Sequence, residues 1–209
     1  MNEIYTVRKI SYNDTKPFLL NVHYARRMPN IMYAFGLFKN DELVGVVTYG
    51  KPASPSLCKG IAGEENAHNV IELNRLVITD HDNKNNASFL VSHSLKMLPK
   101  DLFVVSYADA GWGHVGYVYQ ATNWLYTGMT KARTDIYSES GHARHHCGDT
   151  SKRQYRSPKY RYVYLTGNKK KQIKQLKYPI IKEYPKGDSV HYDVSNPHPI
   201  DDRVEHKLL

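Results

Sequence analysis

Only two cysteines, Cys58 and Cys147, occur in the 209 residues. That is too few for a disulfide scaffold, and it fits a reducing compartment with both as free thiols or one as a ligand. No apolar run approaches the roughly 20 residues of a membrane-spanning helix, and the N-terminus lacks a signal-peptide pattern. The expectation is a soluble intracellular protein with no membrane partner. No internal repeat is present, which excludes a solenoid. The group His142-Ala-Arg-His-His-Cys147 lacks the spaced ligand pairs of a structural zinc site. What is plentiful is positive charge: 29 Lys and Arg against 20 Asp and Glu give a formal net charge of +9. Such a surface favours an acidic partner, nucleic acid first, because lysines and arginines that displace phosphate counterions gain affinity without reading sequence. Seventeen tyrosines add groups that combine a stacking face with a hydroxyl, although most are expected in the core or on strands.

The length suits one domain with extensions. Ile4 to Ile10 reads as a strand, and Thr15-Lys-Pro-Phe opens a helix running to about Arg27, with threonine as cap and Pro17 in its first turn. Tyr33 to Phe38 and Leu43 to Tyr49, separated by Lys39-Asn-Asp-Glu42, form a hairpin. Gly50 to Asn69 shows no clear period and reads as a long loop. Val70 to Ile78, a helix from Ala87 to Leu98 closed by Pro99, and Leu102 to Tyr107 make a β-α-β unit with parallel strands. A short helix over His114 to Thr122 and a strand from Trp124 to Thr130 follow. Residues 131–159 form a basic insertion, Tyr160 to Tyr164 a last strand, and Lys169 to Leu176 a short basic helix or arm. Four prolines beyond Tyr178 mark an irregular tail. Pattern alone gives a mixed α/β domain over 1–165 and a basic C-terminal extension over 166–209.

The richest chemistry lies between Ser106 and Gly128. Hydroxyls, a carboxylate, an imidazole and large aromatics surround four glycines directly after the apolar strand Leu102-Phe-Val-Val105. The carboxyl end of a strand is where open α/β sheets face their ligands. Upstream, His23 and Tyr24 stand beside Arg26 and Arg27, a pattern that by itself is a charged surface helix. Arg75 sits inside an apolar strand with Glu72 and Asn74, and a charge there must be paired or used. Residues three apart on a regular strand point to opposite faces, so Arg75 is expected to meet Asp109 or an anionic ligand rather than Glu72. Asp109 and His114 read either as a carboxylate orienting an imidazole or, more plainly, as a helix cap followed by a histidine.

Several uncommon words in fixed order carry a resemblance. They are His23-Tyr24 with Arg26 and Pro29, Tyr33 to Phe38, Val44 to Gly50, Glu72 to Val77, Ala87 to Ser92 and the block from Ser106 to Gly128. Together they resemble the phage Mom family of adenine-modifying proteins, whose fold is related to the GCN5-type (GNAT) acetyltransferases. The resemblance implies a GNAT-like fold with a mixed central sheet and an enzyme that places a carbamoylmethyl group on adenine N6 in DNA. It further implies protection of viral DNA from restriction and location in the cytoplasm of the infected bacterium. In that context His23 is a general base or metal ligand, Tyr24 and Tyr119 are proton relays or base contacts, and Arg75, Ser106 and Ser88 bind a small-molecule group donor. Asp109 and His114 complete the catalytic set. Joining nitrogen to a CH2 group requires an activated methylene donor or redox chemistry, which makes iron(II) on His23, Asp109 and His114 a candidate cofactor.

Acetyl-coenzyme A is the ordinary donor of this fold, held by a Gln/Arg-x-x-Gly-x-Gly/Ala turn. Here that turn is Thr79 to Ser88, with no glycine and with Asp80 and Asp82 opposing a phosphate. Arg26, Arg144, Lys152, Arg153, Arg156, Lys159 and Arg161 are expected to contact DNA phosphates, with Lys169, Lys170 and Lys171 extending the same surface. Tyr107, Trp112 and Tyr119 are candidates to receive an extruded adenine. Two other readings fit the composition: a coenzyme A-dependent N-acetyltransferase acting on a protein or small amine, and a noncatalytic DNA-binding protein.

Overall fold

A computed structural model describes residues 5–136 and 153–187, with the side chains of Trp112, Asp135, Arg153 and Gln154 outside the description. Arg144, Lys152, the group His142 to Cys147 and the last two prolines, Pro197 and Pro199, therefore lie outside the described residues. Seven strands form a mixed sheet: β1 (Tyr5–Lys9), β2 (Tyr33–Lys39), β3 (Glu42–Gly50), β4 (Val70–Ile78), β5 (Phe103–Asp109), β9 (Lys159–Leu165) and β6 (Leu125–Met129), in that spatial order. The two remaining strands, β7 (Arg133–Ile136) and β8 (Arg153–Arg156), pair only with each other. The basic insertion thus carries an antiparallel ribbon where the sequence suggested a loop.

Helix α1 (Tyr12–Pro17) is started by Ser11, which accepts from the Asp14 amide while Asp14 accepts from the Ser11 amide, a reciprocal capping box. Thr15 is therefore inside the helix, not at its cap. One π-helical turn, Phe18–Val22, follows, and the chain becomes extended at His23. His23 and Tyr24 accordingly sit in the loop after the helix rather than within it.

A second helix, α2 (Pro55–Asn66), occupies the region read as a loop. Its signal was present: Pro55 suits a first helical turn, and Cys58, Ile61 and Ala62 recur at helical spacing and are buried. Gly60 and Gly63 mask it, and Gly63 kinks the helix at φ 78. Helix α3 (Asn86–Met97) follows β4, α4 (Tyr117–Ala121) follows β5, and α5 (Lys169–Gln175) follows β9.

Two apolar clusters cover the two faces of the sheet. Phe35, Val47, Tyr49, Leu90, Val91, Leu95, Trp124 and Tyr162 join α3 to one face. Cys58, Ile61, Val70, Phe103, Val105 and Leu165 join α2 to the other. Strand β4 changes face midway. Thr48 pairs with Arg75 while the next residue, Tyr49, pairs with Leu73, leaving Asn74 as a bulge. Ile71 and Leu73 before the bulge, and Leu76 and Ile78 after it, therefore face the same cluster. Glu72 and Arg75, three apart, consequently share the opposite face, which corrects the expectation from regular alternation.

The loop after the π turn is tied to this bulge. The Asn74 side-chain Nδ2 donates to the Asn30 carbonyl at 2.8 Å, Thr48 donates to the Asn74 Oδ1 at 2.6 Å, and the Met32 backbone amide donates to the Tyr49 carbonyl at 2.7 Å. A Cβ on Gly50 would collide with the Asn30 backbone. Gly50→Ala is expected to lower stability by about 1–3 kcal/mol and to loosen residues 23–32, measured by thermal melting and by amide exchange in that loop.

Candidate active site at the parting of two strands

Strands β4 and β5 pair in parallel over Val70 with Phe103, Ile71 with Val104 and Glu72 with Val105. Beyond that point β4 follows β3, and β5 follows β9. Their backbones leave a gap at the carboxyl ends, where ligands meet open α/β sheets. Ser106 stands at its base, with its hydroxyl 2.9 Å from the Leu73 carbonyl oxygen and 2.8 Å from the Tyr119 hydroxyl. Burial pushes the Tyr119 hydroxyl up to about 12, and the nearby Tyr24 and Glu72 add to the rise. Tyr119 is thus a proton holder at neutral pH.

His23 is buried and lies over this gap, its ring 4.3 Å from the half-exposed ring of Tyr24. Burial, with the neighbouring positive charge of Arg75, depresses its imidazole to about 3. The Ala25 amide donates to Nδ1 at 3.0 Å. A neutral imidazole whose Nδ1 accepts must carry its proton on Nε2, so His23 presents a hydrogen-bond donor. A metal ligand or general base would need that nitrogen bare.

Arg75 donates through Nη1 to the Asn74 carbonyl at 2.6 Å, while its buried Nε has no hydrogen-bond partner. Burial lowers its pKa, opposed by the charges of Tyr24 and Glu72. Glu72, paired with Val105 at the last step of the β4–β5 ladder, acts electrostatically on Arg75, Tyr107, Tyr119 and Cys58. Sequence reasoning left it out of the site because it treated β4 as regular. The bulge at Asn74, hinted at by three polar residues crowded into one apolar strand, is the signal that would have found it. Tyr107 points to the α2 side, with its pKa pushed up by burial and then by Glu72.

Asp109 and His114 form a separate group at the end of β5. Asp109 caps the short turn Ala110–Trp112, accepting from the Gly111 amide at 3.0 Å, so the plainer reading of this residue is present in the fold. Its carboxylate also accepts from the Ser157 hydroxyl and pairs with Lys159 at 2.9 Å. Those contacts hold it below the usual carboxylate range against the upward push of burial. Burial lowers His114, and Asp109 offsets part of that. Arg75 is not the partner of Asp109; Lys159 is.

Among the described residues no three His, Cys, Asp or Glu side chains lie close enough to hold a metal ion. His23, Asp109 and His114, all described, do not form the proposed ligand set.

Ser88 lies on the exposed first turn of α3, where it donates to the Asn85 carbonyl. The turn before it lacks glycine, and three of its amides are engaged within the turn. Its Asp82 amide is taken by Asp80, its Asn85 amide by the Asn83 side chain and its Asn86 amide by the Asn83 carbonyl. Asp80, accepting from Tyr5 at 2.5 Å and beside Lys39, is held ionised at about 2. Of the basic residues, Arg26 is exposed beside Tyr24 and has positive φ. Lys159 pairs with Asp109 at the carboxyl end of β5, and Arg156 ends β8 opposite Arg133. Arg161 is not on that surface: it is buried, donating to the Thr127 hydroxyl and carbonyl. Lys169, Lys170 and Lys171 do not extend that surface: α5 packs at the other end of β5, where Gln172 donates to the Leu102 carbonyl. Among the described residues no helix is long and apolar enough to cross a membrane.

The architecture is that of the GNAT fold. Arabidopsis thaliana NAA60 in complex with acetyl-CoA superimposes with a TM-score of 0.52 at 13% identity, covering 77% of this chain and 98% of that one. A GNAT-family acetyltransferase from Bacillus cereus gives 0.46 at 11% identity, over 78% and 98%. In sequence, residues 4–186 match the Mom protein family, and the chain belongs to that family. The methylcarbamoylase Mom of Escherichia phage Mu is 30% identical over 156 residues, 72% of this chain, and the match spans 63% of that relative's length.

The depressed histidine has a pH signature. A group whose folded pKa lies below its unfolded value of about 6.5 binds fewer protons when folded, so its contribution to stability is complete above that value. It is lost as pH falls toward 3. His23→Gln is expected to flatten the acid side of the stability curve between those limits. In the unaltered protein, imidazole 15N spectra are expected to show Nε2 protonated and Nδ1 bare, with no titration above about pH 4.

Proposed function

We propose that this chain is a DNA-modifying transferase that attaches a carbamoylmethyl-type group to adenine N6 in phage DNA. The reading rests on family membership and on one observation. Loop residues His23 and Tyr24 are electrostatically coupled to Arg75 of β4, and Tyr119, which is influenced by Tyr24 and Glu72, shares a hydrogen bond with Ser106 where β4 and β5 part.

Donor groups prevail on one side of this set. The Nε2 proton of His23 and the spare donors of Arg75 are suited to the carbonyl oxygen of a small donor, drawing electron density from its reactive carbon. The N6 nitrogen forms a bond to the donor methylene, and the bond from that carbon to its leaving group breaks, with the leaving group keeping the electron pair. One N6 proton passes to a base, a role assigned in this reading to the Glu72 carboxylate. Tyr24, exposed and stacked near His23, offers a face to an extruded adenine. Asp109 acts as a positioning residue for the turn that leads to His114. Acyl transfer from a thioester would join nitrogen to a carbonyl carbon instead, and the occupied turn before α3 gives coenzyme A no amide cradle from Asp82, Asn85 or Asn86.

Nucleosides from bacteria expressing the chain are expected to contain adenine bearing the added group. Arg75→Ala should reduce it about 100-fold while the protein stays folded, and His23→Ala should act in the same direction. Unmodified nucleosides beside steep salt-dependent DNA binding would instead mark a noncatalytic DNA-binding protein. Calorimetry is expected to give no binding heat with acetyl-coenzyme A, and binding accompanied by acetylation of an amine without DNA would mark an N-acetyltransferase.

A further inference from the structure

We propose that Tyr107 and Arg161 form an oxyanion subsite on the far lip of the gap, where the anionic end of the small-molecule group donor is held. The inference rests on the transferase reading above and adds a chemical property of its donor. Tyr107 of β5 lies directly opposite Arg161 of β9, and residues so placed share a face of the sheet. That face is the α2 side, where Tyr107 and Tyr178 pack against the cluster containing Cys58 and Val105. Glu72, paired with Val105, marks the base of the gap. Tyr107 stands two residues beyond Val105 and, once the extra residue of the Asn74 bulge is discounted, Arg75 stands two beyond Glu72. One lip therefore carries Arg75, and the other carries Tyr107 with Arg161.

Arg161 is a buried cation without a counterion. It is 8% exposed and donates through Nε and Nη2 to Thr127, while the Tyr178 ring lies over its guanidinium at 3.3 Å. Gly60 of α2 leaves room for that ring, since an added Cβ would stand 3.1 Å from the Tyr178 hydroxyl. Burial lowers the Arg161 pKa, and the groups opposing this are Tyr178, Tyr107 and Tyr126, none of them a carboxylate. A buried charge is costly unless paired. Among the described residues neither Arg161 Nη1 nor the Tyr107 hydroxyl forms a hydrogen bond, yet neither atom is sealed from solvent. Two donors beside a positive charge suit a carboxylate or phosphate oxygen.

Glu72 acts on both Arg75 and Tyr107 and offsets one of the two guanidinium groups, so one positive charge remains for a ligand. The phosphates of a duplex are met by exposed side chains, and a group this recessed admits a small molecule instead. Neighbouring strands lie about 4.8 Å apart. An anion at Arg161 and a carbonyl oxygen at Arg75 are therefore separated by at least about 10 Å, two strand spacings, which sets the span of the donor.

The test follows the Nε–Hε resonance of Arg161, identified as the one absent from Arg161→Gln, while inorganic phosphate or acetate is added to the full chain at constant ionic strength. A saturable shift with both anions is expected. Tyr107→Phe removes a hydroxyl that has no partner, so thermal melting should be unchanged while anion affinity falls about tenfold. Modified adenine in bacteria expressing that variant should fall as well. Arg161→Lys keeps the charge without the fork and should bind more tightly than Arg161→Gln and more weakly than the unaltered chain. A shift that grows linearly and is matched by chloride would mean an adventitious ion only and overturn the subsite, as would full anion affinity in Tyr107→Phe. A 20-base-pair duplex should leave the resonance in place; a duplex that moves it and competes with phosphate would reassign the anion to the DNA backbone and overturn the donor assignment. Anion binding beside unmodified nucleosides would remove the transferase reading and the donor with it, whereas modified nucleosides without anion binding would remove the subsite alone.

Discussion

Three residue pairs decide this molecule. β4 and β5 hold each other only from Val70 to Glu72 and from Phe103 to Val105, and every polar group of the candidate site depends on what happens next. Once the strands part, the groups that a continuous ladder would have consumed must be satisfied otherwise. Ser106 supplies one answer by reaching back to the Leu73 carbonyl. The bulge at Asn74 supplies another, because it turns Arg75 to the same side as Glu72 and frees the Asn74 side chain to tether Asn30. The loop bearing His23 is thereby fixed over the gap, and a buried neutral imidazole follows from that position.

Much of the fold was legible because it rests on local pattern. The strands from Tyr33, Leu43, Val70 and Leu102, the helix before Pro99 and the basic helix at Lys169 are each written in apolar spacing or in a terminating residue. What escaped depended on geometry that spacing does not encode. Two glycines concealed α2 although its buried triplet had helical period. Ser11 outcompeted Thr15 as a cap because Asp14 could reciprocate. The bulge in β4 overturned a correct rule about alternation, and with it the exclusion of a Glu72–Arg75 relationship.

Of the residues singled out in the sequence, some are neighbours in the fold and others are not. His23, Tyr24, Arg75, Ser106 and Tyr119 come together, whereas Asp109 and His114 belong to a neighbouring group organised by Lys159 and Ser157. Which nitrogen of His23 is engaged was also beyond the sequence, since only coordinates reveal that the Ala25 amide occupies Nδ1. Charge was the coarsest guide. The basic residues read as one surface divide between the two ends of β5, with the ribbon at one and α5 at the other.

The strand order carries a cost during synthesis. β9 ends at Leu165 yet sits inside the sheet, between β5 and β6. Until the ribosome has released that segment, β5 has an open flank of unpaired backbone groups, the kind of edge through which nascent chains associate wrongly. The closing step must thread a late strand between two earlier ones, a non-local event of the sort that slows folding. Assembly of this protein therefore cannot finish progressively from its amino end.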